Sequence, residues 1–139
     1  MATDGDAAVF SVLRLLRLAE DLESDAVAIN YASAFLDKLP ACIERLLSTV
    51  RRGNTAAAMD TVLSLKVRSF MVGGLAMEQS CRALEKCLSD GDPSSAVIAA
   101  QHVAKEAHAL RLALEEFLRQ WGQKQQSDES ETVESVPLG

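Results

Sequence analysis

The chain has 139 residues and a formal net charge of -6; 48% of its residues are hydrophobic and only 4% aromatic. That length fits one domain able to bury a core without disulfides or metal, and the acidic balance argues against a broad nucleic-acid footprint, which needs clustered Lys and Arg to displace counterions. No apolar run approaches the ~20 residues of a bilayer span, and three cysteines without a leading basic-then-apolar segment point to a reducing cytoplasm. Ala, Leu, Glu, Arg and Gln dominate over β-branched and aromatic residues, so an all-α fold is expected.

Residues 1–7 are small and acidic and are expected to be loose, with Asp6 capping a short first helix that runs to about Glu20 and carries Val9, Val12, Leu13 and Leu16 on one side. The polar turn Asp21-Leu22-Glu23-Ser24-Asp25 supplies Ser and Asp oxygens to accept from the free N–H groups of a second helix. From Val27 to about Arg52, Ile29, Ala32, Leu36, Leu39, Ile43, Leu46 and Val50 alternate at spacings of three and four, the period of a helix with one buried face. Pro40 falls inside that run and predicts a kink or two abutting helices, because it removes one backbone hydrogen bond and crowds the preceding turn. Arg51, Arg52 and Gly53-Asn54 make a coherent stop.

A third helix follows, begun by Asn54 or Thr55 and closed at Gly73-Gly74. Ala58, Val62, Leu65, Ser69 and Val72 share one face and predict core. Met59, Leu63, Val67 and Phe70, with Asp60 and Lys66 among them, lie on the other side, since Leu63 and Leu65 are about 200° apart around a helix. A second apolar stripe needs a buried neighbour or a partner. A fourth helix carries Met77, Cys81, Leu84 and Leu88. Asp90-Gly91-Asp92-Pro93 ends it and starts a fifth, with proline suited to a first turn and a stripe of Ala100, Val103, Ala107, Leu110, Leu114, Phe117 and Trp121. Residues 8–121 are thus expected to form one antiparallel four-helix bundle with a short extra N-terminal helix. Residues 122–139 contain Asp128, Glu129, Glu131 and Glu134 with no basic residue after Lys124, and predict a disordered acidic tail.

A helix with a mid-helix proline, a turn at Gly53-Asn54, a helix bearing Leu63-Ser64-Leu65-Lys66 and ending in Gly73-Gly74, then two more helices: this order resembles the histidine-containing phosphotransfer (HPt) domain family over about residues 22–120. That family's motif, H-x-L-K-G-S followed by G-A, places its phospho-accepting histidine at Leu63, its leucine at Leu65, its lysine at Lys66, its glycine at Val67, its first serine at Arg68 and its G-A pair at Gly73-Gly74. The resemblance implies a degenerate, pseudo-phosphotransfer member. Phosphoryl acceptance needs a lone pair in line with the donor phosphate, and leucine offers none. The implied partner is a response-regulator receiver domain or a histidine-kinase-associated protein, met through Met59, Asp60, Leu63, Lys66, Val67 and Phe70, with no cofactor.

Other chemistry is poorly supplied. His102 and His108 are about 240° apart on the fifth helix and form no joint metal site. Ser64 and Ser69 have no base nearby in sequence. Cys42, Cys81 and Cys87 read as small hydrophobes, and no phosphate loop, His-Glu-x-x-His or nucleophile elbow occurs. An enzyme is not expected. The leading expectation is a module that binds a receiver without taking its phosphate. The competing one is a structural bundle that forms a homodimer through the same stripe; weaker ones are a stripe covered by the first helix and a relay through a surrogate histidine.

Overall fold

The computed structural model describes residues 7–135, and the side chains of residues 7–125. Five helices follow in order: α1 (Val12–Asp21), α2 (Asp25–Arg51), α3 (Thr55–Met71), α4 (Leu75–Ser89) and α5 (Pro93–Ser135). Helices α2 to α5 form a closed four-helix bundle in which α2 packs on α3 and α5, and α4 packs on the same two. Short turns leave successive helices no choice but to run antiparallel.

The boundaries follow from local chemistry. Ser24 caps α2 by accepting from the Val27 N–H (3.1 Å), Asn54 caps α3 through the Ala57 N–H (3.2 Å), and Asp92 caps α5 through the Ser95 N–H (3.1 Å) and hydroxyl (2.7 Å). These bonds hold the Asp92 carboxyl below its ordinary pKa, the Ser95 hydroxyl contributing most. Gly53 and Gly91 reverse the chain with positive φ (72° and 67°), where a side chain would be strained. Pro40 does not split α2. The helix is continuous from Asp25 to Arg51 and carries the proline on its exposed side, so two abutting helices are excluded.

The core is the sum of the stripes. Ala58, Val62, Leu65, Ser69 and Val72 of the α3 region are all buried, as are Met77, Cys81, Leu84 and Leu88 of α4 and Ala100, Val103, Ala107, Leu110 and Leu114 of α5. From α2 come Ala32, Leu36, Leu39, Leu46 and Val50, with Ile29 and Ile43 half-buried. Polar groups in this core are satisfied: the Thr49 hydroxyl donates to the carbonyls of Arg45 (2.9 Å) or Leu46 (3.0 Å), and that of Ser69 to Lys66 (3.2 Å).

The N-terminal helix departs from the expectation. It begins at Val12, with Ser11 as cap accepting from the Arg14 N–H; Asp6 lies outside the described residues. Leu15, Leu18 and Ala19 are the buried side chains, whereas Val9, Val12, Leu13 and Leu16 are exposed, Leu13 by 79%. The anchor is backbone: the Ser11 N–H donates to the Gly73 carbonyl (2.7 Å) and the Ala76 N–H to the Ala8 carbonyl (2.8 Å). With the chain pinned there, α1 turns Leu15 and Leu18 inward, and Phe10 sets its ring against Phe117 (5.4 Å between centroids).

At the other terminus α5 continues past Trp121 to Ser135, through the stretch read as a disordered tail. Gly122 to Gln125 are exposed, so burial does not drive the helix through those four residues. Extending an existing helix avoids the nucleation penalty, and Gln, Lys and Glu are good helix formers.

Candidate functional site

Helix α3 turns one face into the bundle and the opposite face outward. Leu65, 3% exposed, and Val62, fully covered, belong to the first; Leu63 (37%), Val67 (57%) and Phe70 (39%) belong to the second. Asp60 is exposed beside them, and Met59 is half-buried against the core cluster. The three exposed side chains leave on the order of 200 Å² of apolar surface in one strip, less than the largest patch of a typical monomer, about 300–600 Å², so its position on α3 rather than its area singles it out.

The strip has a distinct border on either flank. Toward α4, Lys66 donates to Glu85 at 2.7 Å, in a pair whose side chains are about a quarter to a third exposed (24% and 33%). Lys66 is therefore not a free cation beside Leu63; its charge is already answered. Beneath that pair, Cys81 is buried, and desolvation, with a smaller contribution from the Glu78 carboxylate, pushes its thiol from 9.0 up to about 12, partly offset by Lys66. Such a thiol is neither nucleophile nor ligand at neutral pH.

At the C-terminal end of the strip, α1 supplies a lid of one residue. The Arg14 guanidinium carbon stands 4.6 Å from the centroid of the Phe70 ring, its Nη2 3.8 Å from the Met71 sulfur and 4.0 Å from Asp21. Cation–π contact of this kind contributes about 0.5–2 kcal/mol. The Arg14 Nε is buried without a partner, so the guanidinium is only partly satisfied where it stands. Helix α1 thus touches Phe70 and Met71 but leaves Leu63 and Val67 open, which removes the reading in which the whole strip is core.

Arg14 and Glu85 were not among the sequence candidates. Glu85 had a weak signal: it lies about one turn further beyond Gly73-Gly74 than Lys66 lies before it, and antiparallel packing brings such positions together. Arg14 had none, because its contact depends on how α1 is pinned at Gly73.

The surrogate nucleophiles are elsewhere. His102 and His108 are exposed on α5, and His102 borders an open recess of mixed polarity that Gln79, Lys105, Glu106, Ala83 and Val9 also line. Ser64 is exposed on α3, and Ser69 is buried. Among the described residues no cluster of His, Cys, Asp or Glu has metal-binding geometry, and no helix is long and apolar enough to cross a membrane.

No protein-family model and no curated protein matches the chain. Solved structures do. The histidine-containing phosphotransfer protein B of Pseudomonas aeruginosa PAO1 superposes with a TM-score of 0.73 at 18% identity, covering 83% of this chain and 98% of that one. The HPT domain of a sensor hybrid histidine kinase from Shewanella gives 0.69 at 18% identity, covering 81% and 95%. The chain therefore has the fold of histidine-containing phosphotransfer domains.

Proposed function

We propose that this chain is a phosphotransfer-like signalling module that docks a receiver domain, or a protein associated with a histidine kinase, on the outward face of α3 and does not accept its phosphate. The observation that carries the reading is Leu63. It stands where the family motif places the phosphohistidine, and it is 37% exposed at the middle of an apolar strip. An aliphatic side chain there preserves a surface for contact and offers no lone pair that a phosphoryl group could join at that position. The side chains of the docking face are Met59, Asp60, Leu63, Lys66, Val67 and Phe70. No step of chemistry is assigned to them.

The test is calorimetric titration of the full chain with receiver domains of the source cell, purified one at a time. At least one is expected to bind, and Leu63→Glu to weaken it at least tenfold while circular dichroism of the variant matches the parent. Binding indifferent to Leu63→Glu, or no binding by any receiver, refutes the reading. Incubation with a phosphorylated receiver should leave no label on the chain; stable label on His102 or His108 would identify a relay instead. Light scattering distinguishes the competing homodimer, which Leu63→Glu or Phe70→Glu would dissociate.

A further inference from the structure

On its α2 side the apolar strip borders a groove of about 220 Å³ lined by Tyr31, Ala34, Phe35 and Lys38 of α2 and Arg68 of α3. Arg68 follows Val67 and lies about 100° further round the helix, so the groove begins where the strip ends. Phe35 is buried and Tyr31 half-buried, while Lys38 and Arg68 are exposed. Among the described residues neither Lys38 nor Arg68 forms an ion pair, whereas Lys66 on the opposite flank is paired with Glu85. On a chain of net charge -6, two uncommitted cations meeting across one groove form a local positive site. The nearest acids on the same helices are Asp37, about 100° round α2 from Lys38, and Asp60, about two turns before Arg68 on α3; both are exposed.

We propose that this groove receives a carboxylate side chain of the protein that docks on α3, so that the partner's contact surface is apolar with an acidic flank. The inference rests on the docking reading above and specifies the partner's chemistry. An Arg guanidinium takes a carboxylate through two parallel hydrogen bonds, Lys38 adds a second charge from the facing helix, and the Tyr31 and Phe35 side chains limit the water that competes for it. The groove also gives the docking a direction, since the strip is flanked by free positive charge on the α2 side and by a neutralised pair on the α4 side. Two cations are too few for a nucleic-acid backbone.

The experiment compares the parent with the double variant Lys38→Glu, Arg68→Glu, using the receiver domains as titrants at ~50 mM and ~300 mM salt. Both residues are exposed, so the variant should fold as the parent does. Binding is expected to weaken roughly tenfold or more at low salt and to lose most of its salt dependence, while Leu63→Glu weakens binding at both salts. A receiver that binds parent and double variant equally at both salts overturns the groove and leaves the docking reading standing. If no receiver binds, the docking reading falls, and the groove is judged with a free probe: acetyl-Leu-Asp-Leu-amide titrated into ¹⁵N-labelled chain. Shifts at Tyr31, Ala34, Lys38 and Arg68 that vanish in the double variant support the groove. Their absence overturns it.

Discussion

Replacing Gly73 by alanine should detach α1 from the bundle, and the structure fixes the scale of the loss. Gly73 has φ of 94°, and a Cβ built on it would lie 2.3 Å from the Ser11 carbonyl oxygen and 3.3 Å from a ring carbon of Phe10. The first contact is with backbone and cannot be relieved by a rotamer change. The left-handed conformation alone costs an L-residue about 1–2 kcal/mol; moving the N-terminal segment away also breaks the 2.7 Å bond from the Ser11 N–H to the Gly73 carbonyl, worth about 1 kcal/mol net. A destabilisation of about 2–3 kcal/mol follows, equivalent to a fall in Tm of about 6–9 °C for a chain of this size. Gly53 is the internal control, since it has φ of 72° with no atom within 4 Å of its Cβ position. Gly53→Ala should therefore show the conformational cost without the clash, about 1–2 kcal/mol. Urea denaturation of the two variants, with hydrogen exchange read at Leu15 and Leu18, measures the difference. If Gly73→Ala is no more destabilising than Gly53→Ala, or α1 amides exchange no faster, the pinning of α1 at this glycine is refuted.

Two further outcomes are expected. Cys42 and Cys87, half-buried, should react with a thiol reagent near pH 8 well before Cys81, and because the Cys81 pKa is raised from 9.0 to about 12 in the fold, the unfolded chain releases its proton first: stability should fall as pH rises between those values, a slope that Cys81→Val removes in denaturation series across that range. Leu63→His should restore at most weak phosphoryl acceptance from a phosphorylated receiver, because Lys66 is held by Glu85 at 2.7 Å and the carboxylate repels the incoming phosphate; Leu63→His with Glu85→Gln should take label several-fold faster, and equal rates would show that the pair does not restrain Lys66.

The bundle was legible where one face of a helix differs clearly from the others. In α3, α4 and α5 apolar residues at spacings of three and four are bounded by capping oxygens and glycines, so period and punctuation agree. Helix α1 has leucine at 13, 15, 16 and 18, so its apolar side chains spread over an arc of about 220°, wider than the face that packs, and the period does not say which part of that arc is buried. The choice is made by tertiary contact at Gly73, a residue far along the chain. The borders of the candidate site were hidden for the same reason. Leu63, Val67 and Phe70 share a helix and announce themselves, but Arg14 reaches Phe70 from 56 positions away and Glu85 reaches Lys66 from 19. Helical periodicity carries no information over such separations. The reading of residues 122–139 as a disordered acidic tail rests on composition, which reports what a segment can bury and not whether a formed helix already stands at its start.

On the proposed reading, holding a partner and taking its phosphate are separable because one would draw on an area of the outward face of α3 and the other on a single atom within it. The fold depends chiefly on the inward face, where Val62, Leu65 and Ser69 are almost wholly covered. Docking would depend on an area: Leu63, Val67 and Phe70 contribute apolar surface, and loss of any one would remove only a share. Phosphoryl transfer would depend on a single lone pair at one outward atom, so exchange of one side chain removes it completely. On the proposed reading, a leucine at that point would give up the chemistry while adding apolar area to the surface, which should strengthen rather than weaken contact with an apolar partner face. The charge pattern runs the same way. A phosphate carrier would need an uncommitted cation beside the accepting atom, and here Lys66 is bound to Glu85, while the uncommitted Lys38 and Arg68 lie at the α2 edge, where they can attract an acidic partner surface but stand off the place where a phosphoryl group would have to sit.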